Sequence, residues 1–201
     1  MTHPRPQRHR RAITVARGNA PAEFTIANVG LVNTLTAEIY SAHVAIREGV
    51  VAHVLLADQS VPDTGEISDG TGYFAVPGLV DGHLHIESSM VLPPAFAAEV
   101  VSRGVLTVIA DPHEIANVLG LSGIRLMSNA AKNLPLDVFL QAPSCVPATT
   151  LETSGAEIGP EEIRELLEWD EVRALGAHCP HQEPGRSEER RVGKECSLLC
   201  R

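Results

Sequence analysis

The chain has 201 residues, 44% of them hydrophobic and 20% charged, which suits one medium domain or two small ones and excludes a disordered polymer. A formal net charge of −9 argues against a nonspecific nucleic-acid binder, which would present a basic surface to phosphates, and is compatible with a small neutral or cationic substrate. No run reaches the roughly 18 apolar residues of a membrane span, and Cys145, Cys179, Cys196 and Cys200 show neither zinc-finger pairing nor a preceding secretion signal, which reads as reduced thiols in a cytoplasmic protein.

The opening MTHPRPQRHRRAITVARGNAP is basic and lacks the apolar core of a signal peptide, so residues 1–23 are expected to be a loosely ordered tail. From Phe24 to Val76 short β-like runs (TIANVGLVN, AEIYSAHVAIREG, VVAHVLLA, GYFAVPG) alternate with Gly, Asn, Asp and Pro turn signals. They predict a small all-β, sandwich-like module over residues 24–76, with one buried and one wet face to each sheet.

After Pro77-Gly78 the pattern becomes strand, loop, helix, repeated. LVDGHLHI precedes PPAFAAEVVSRG; LTVIA precedes a helix near Leu121 to Asn133; DVFLQA precedes Pro160 to Trp169; VRALGA comes last. This alternation predicts right-handed βαβ units on a parallel sheet, an α/β fold. Pro93 and Pro94 suit a first helical turn, Gly104 a helix end, and Glu161 and Glu162 a helix start where acidic groups complement the dipole. An eight-stranded barrel takes about 250 residues, so residues 77–176 hold about four strands, an incomplete TIM-like barrel. From about residue 177 no hydrophobic period continues. RSEERRVGKEC resembles the translation of a common sequencing adapter, and residues 177–201 are expected to be unstructured.

The strongest local signal is Asp81-Gly82-His83-Leu84-His85 at the end of an apolar run. Alternate strand residues share a face, so His83 and His85 are expected to project together at the C-terminal end of the first barrel strand and to hold one edge of a divalent metal. Glu87, with the same parity, follows with Ser88 and Ser89 in a loop, where they could orient a ligand or a histidine or cap the loop. Asp111-Pro112-His113-Glu114 follows the second strand as a loop of three ionisable groups. Asp111 capping a turn and His113 simply hydrogen-bonded is one reading; metal or proton work is the other. Cys145, in the Pro-punctuated loop APSCVPA, reads as a buried inert thiol with no charged partner to lower its pKa.

The stretches PGLVDGHLHIESSMVLPPAF, GVLTVIADPHEIANVLGLSGIRLM and LPLDVFLQAPSCVPATTLETSGA resemble the adenine deaminases of the metal-dependent amidohydrolase superfamily, from about Ile26 to Gly176. HxH alone indicates the superfamily; HIESSM with ADPHEIANVLG and APSCVPAT points to adenine deaminase. The resemblance implies hydrolysis of adenine to hypoxanthine and ammonia at a manganese or iron centre, with His83 and His85 as metal ligands. It implies functional places for Glu87, Asp111, His113 and Glu114, whose individual roles it leaves open. The implied partners are a small-molecule purine and neither nucleic acid nor membrane, with a homo-oligomer as an option for a longer parent. The resemblance departs at Leu175-Gly176-Ala177, where the family carries Leu-Gly-Glu with a metal-bridging Glu. The expectation is therefore that a full-length parent is the enzyme and this chain an inactive fragment. The alternatives are another amidohydrolase of cyclic amides or amidines, or a noncatalytic half-barrel.

Overall fold

A computed structural model describes residues 5–149 and 151–176, with the side chains of residues 5–8 outside the description. The described residues divide into two compact units, one ending at Pro77 and one beginning at Gly78.

The first unit contains one five-stranded sheet. β1 (Ala22–Asn33), β2 (Glu38–Arg47) and β3 (Val50–Leu56) form an antiparallel meander, while β4 (Thr64–Asp69) and β5 (Phe74–Ala75) both pair with β1 in parallel. The described residues of this unit thus form a single sheet where the sequence led us to expect a sandwich-like module. The basic opening segment also corrects the expectation of a loose tail: Arg5–Ala16 forms α1. Pro6 falls in its first turn, where a missing N–H costs no hydrogen bond, and Val15, 2% exposed, is packed in a cluster with Ala22 and Ala45. Arg11 adds an ion pair to Glu48. One apolar anchor on a hydrophilic helix suffices here because α1 lies against β2 and β3.

The second unit is a four-stranded parallel sheet in the order β6 (Leu79–Leu84), β7 (Val105–Ala110), β8 (Asp137–Ala142), β9 (Val172–Leu175). The crossovers carry α2 (Pro93–Val101), α3 (His113–Leu119) with α4 (Leu121–Ala130), and α5 (Pro160–Leu167). This is a mixed α/β fold made of four barrel-type strands, half the number that closes a (β/α)8 barrel. Ile86, Ile124, Met127, Leu140, Leu166 and Val172 lead the core between sheet and helices.

Two local differences from the sequence reading bear on the site. The single helix expected near Leu121 to Asn133 is preceded by a second one, α3, so that His113 and Glu114 open a helix rather than sit in a loop. Gly120 separates the two helices with φ 59° and ψ −143°, a conformation that side chains rarely adopt. In addition β6 ends at Leu84, leaving His85 one residue beyond the strand; Glu87–Ser89 then form a 3-10 turn. The segment expected to be unstructured, residues 177–201, lies outside the described residues.

Candidate metal centre

The C-terminal ends of β6 and β7 bring the histidines to one place. The rings of His83 and His85 meet edge to face with centroids 4.9 Å apart, and those of His85 and His113 do so at 4.5 Å. Asp111, at the end of β7, is 2% exposed. Its main chain is held on both sides: its N–H donates to Leu84 O at 2.9 Å, and its carbonyl accepts from His85 Nδ1 at 2.8 Å. Oδ2 of Asp111 lies 4.0 Å from His113 Nδ1. One ligand atom each from His85, Asp111 and His113 falls within 4.8 Å of the others, a group that could hold a metal ion once the side chains draw in around it.

The tautomers favour the same reading. A carbonyl oxygen only accepts, so His85 must carry its proton on Nδ1, and a neutral ring then keeps a lone pair on Nε2. His83 Nδ1 faces Gln141 Oε1 at 3.0 Å, again an acceptor, with the same consequence. Histidines fixed through one nitrogen by an oxygen acceptor are the usual arrangement for ligating through the other. The donor set therefore fits a divalent ion. His83, expected from sequence to share the ion with His85, is next to it but outside the three-residue group; Asp111 and His113 complete that group.

The other two candidates have different surroundings. Glu87 Oε1 accepts from the N–H of Ile115 at 3.4 Å, and its Oε2 is buried with no hydrogen-bond partner among the described residues. Glu114 is exposed and accepts from Ser88 Oγ at 2.6 Å. Cys145, expected to be buried, is half-buried. Gln141 and Gly176 are the residues that sequence reasoning passed over. The only signal for Gln141 was a polar residue at the apolar end of DVFLQA; Gly176 was marked solely as the residue before the departure from Leu-Gly-Glu.

Gly176 closes the far side of the site. A Cβ there would lie 2.8 Å from Asp111 Oδ2 and 3.1 Å from Ala142 O, while its own N–H donates to Ala142 O at 2.7 Å. Gly176→Ala is therefore expected to displace the Asp111 carboxylate and to destabilise the chain by about 1–3 kcal/mol. Urea unfolding with and without manganese checks this, and the stabilisation gained from the ion should shrink in the variant.

The family described as Amidohydrolase family matches residues 74–189, which is more than half of the chain and includes every site residue above. The chain belongs to the amidohydrolase family. It is 48% identical over 166 residues to an adenine deaminase of Archaeoglobus fulgidus, covering 83% of this chain and 29% of that protein. It is 45% identical over 170 residues to an adenine deaminase of Ruegeria pomeroyi, covering 83% of this chain and 28% of that one. Among solved structures, one titled as an adenine deaminase aligns with a TM-score of 0.44 and 25% identity, over 61% of this chain and 31% of its own. This amidohydrolase chain thus spans under a third of the length of the curated relatives it matches. Among the described residues no helix is long and apolar enough to cross a membrane.

Proposed function

We propose that this chain carries the opening barrel units and part of the metal site of an enzyme that hydrolyses adenine to hypoxanthine and ammonia, with manganese or iron as the ion, a purine base as substrate and the cytoplasm as compartment. The observation that carries the reading is the convergence of His85, Asp111 and His113 beside His83 at the C-terminal ends of adjacent parallel strands. The similarity to adenine deaminases supports the choice of substrate.

When bound, a divalent ion supplies Lewis acidity that brings the pKa of water towards neutrality. The residues supply the rest. His83 and His85 present neutral Nε2 lone pairs, their Nδ1 protons being engaged by Gln141 and Asp111. Asp111 brings a buried carboxylate that favours a cation, and His113 adds a third donor. In the overall step the oxygen of water bonds to the carbon that bears the amino group, the C–N bond breaks, and a proton from water reaches the leaving nitrogen as ammonia. A carboxylate of suitable placement can carry that proton. Glu87 is the better candidate: Oε1 is taken by the N–H of Ile115 and Oε2 remains for a proton, whereas Glu114 is engaged by Ser88.

To test this, residues 1–176 are exchanged for the matching segment of the Archaeoglobus fulgidus relative, and the manganese-loaded protein is given adenine. Equimolar hypoxanthine and ammonia are expected, with Glu87→Gln slowing turnover by about 10²–10⁴-fold. Hydrolysis of a dihydropyrimidine ring with adenine left untouched would instead assign a cyclic-amide substrate. No hydrolysis of either would favour a noncatalytic half-barrel.

A further inference from the structure

We infer that Gln141 is a positioning residue for His83: its buried carboxamide oxygen holds the ring as the Nδ1–H tautomer and so keeps Nε2 as the atom offered to a cation. The inference rests on the metal reading above and deepens it, giving Gln141 a role of its own that can be tested separately from the ligands. Gln141 is 3% exposed and sits between Leu140 and Ala142, both also buried, at the C-terminal end of β8. An amide buried among apolar neighbours is costly unless it is hydrogen-bonded. Here Oε1 meets His83 Nδ1 at 3.0 Å, across the intervening strand β7 and 58 positions along the chain.

His83 needs such a partner more than His85 does. It is exposed, on an edge strand of the described sheet, and its backbone N–H donates to the Asp81 side chain rather than pairing along the sheet. Among the described residues Gln141 is the hydrogen-bond partner of its ring, and the edge-to-face contact with His85 does not by itself select a tautomer. His85 is held by the main-chain carbonyl of Asp111, which no substitution removes. The device that fixes His83 is a side chain, so it alone is open to a mutational test.

The test uses the full 201-residue chain, free of metal and labelled with ¹⁵N at histidine. Long-range ¹H–¹⁵N correlation spectra should show His83 protonated at Nδ1 and bare at Nε2. Gln141→Met, similar in length and without a strong acceptor, should lose that preference and bind manganese roughly 10- to 100-fold more weakly by calorimetry, the usual cost of an outer partner of a ligand. Gln141→Glu keeps an acceptor at the same reach and should retain the tautomer and bind at least as tightly as Gln141 to within a few-fold. A purely structural role would lower the thermal midpoint in both variants without separating them. A wild-type His83 protonated at Nε2 overturns the inference, and needs no variant to fold; so does a Gln141→Met chain that binds manganese like the wild type. Failure of the metal reading is distinguishable, because it would show as wild-type manganese binding in His85→Ala.

Discussion

His85→Ala is expected to abolish measurable manganese binding by the chain and to lower adenine turnover of the exchanged protein by more than the 10- to 100-fold that loss of an outer partner costs. His85 is the one histidine that touches both others, with His83 on one side and His113 on the other, and it shares the three-residue group with Asp111. Removing it leaves Asp111 and His113 without the donor they share, and His83 without the ring contact that places it beside them. The fold should survive, since the loss is local: one hydrogen bond to the Asp111 carbonyl, worth about 1 kcal/mol, and the ring contacts with His83 and His113. Circular dichroism and calorimetric titration on the same sample separate the two effects.

Leu140→Ala is expected to have the largest effect on stability, about 2–5 kcal/mol, because it opens a cavity in the core that joins the sheet to its helices. Leu140 is 1% exposed and packs in the cluster that includes Ile124, Leu166 and Val172. Its backbone N–H donates to Glu171 O at 2.9 Å, so the same residue also ties β8 to the start of β9. Its neighbour Gln141 should lose its fixed position, and manganese affinity should fall along with stability. A urea midpoint unchanged from wild type would contradict this placement of the core.

The parallel half of the fold was legible because each of its strands is an apolar run bounded by Gly, Pro or charged residues. DVFLQA forms β8 over Asp137–Ala142, and Pro160 opens α5 where the acidic pair follows it. What escaped had weak or distant signals. α1 exposes His9, Arg10 and Arg11 and has Val15 as its buried anchor, so its periodicity is faint; its helix depends on packing against β2 and β3. α3 is seven residues long and directly follows Pro112, too short for a hydrophobic period to show.

The site was legible in part, and for a reason that needs refining. Parity within a strand suggested that His83 and His85 would project together, and their rings do meet, yet β6 stops at Leu84. It is the hydrogen bond to the Asp111 carbonyl, not the pleat alone, that orients His85. The DPHE segment was marked by its charge density, but its division was not: Asp111 and His113 gather with His85 while Glu114 pairs with Ser88. Gln141 could not be read from local pattern, because its partner is 58 positions away.

Anomalous diffraction from a crystal of the chain grown with manganese tests the central claim most directly. A peak within bonding distance of His85, Asp111 and His113, beside the Nε2 atom of His83, is the predicted result. A fully occupied manganese elsewhere on the chain, with these four side chains bonded only to one another, would contradict it.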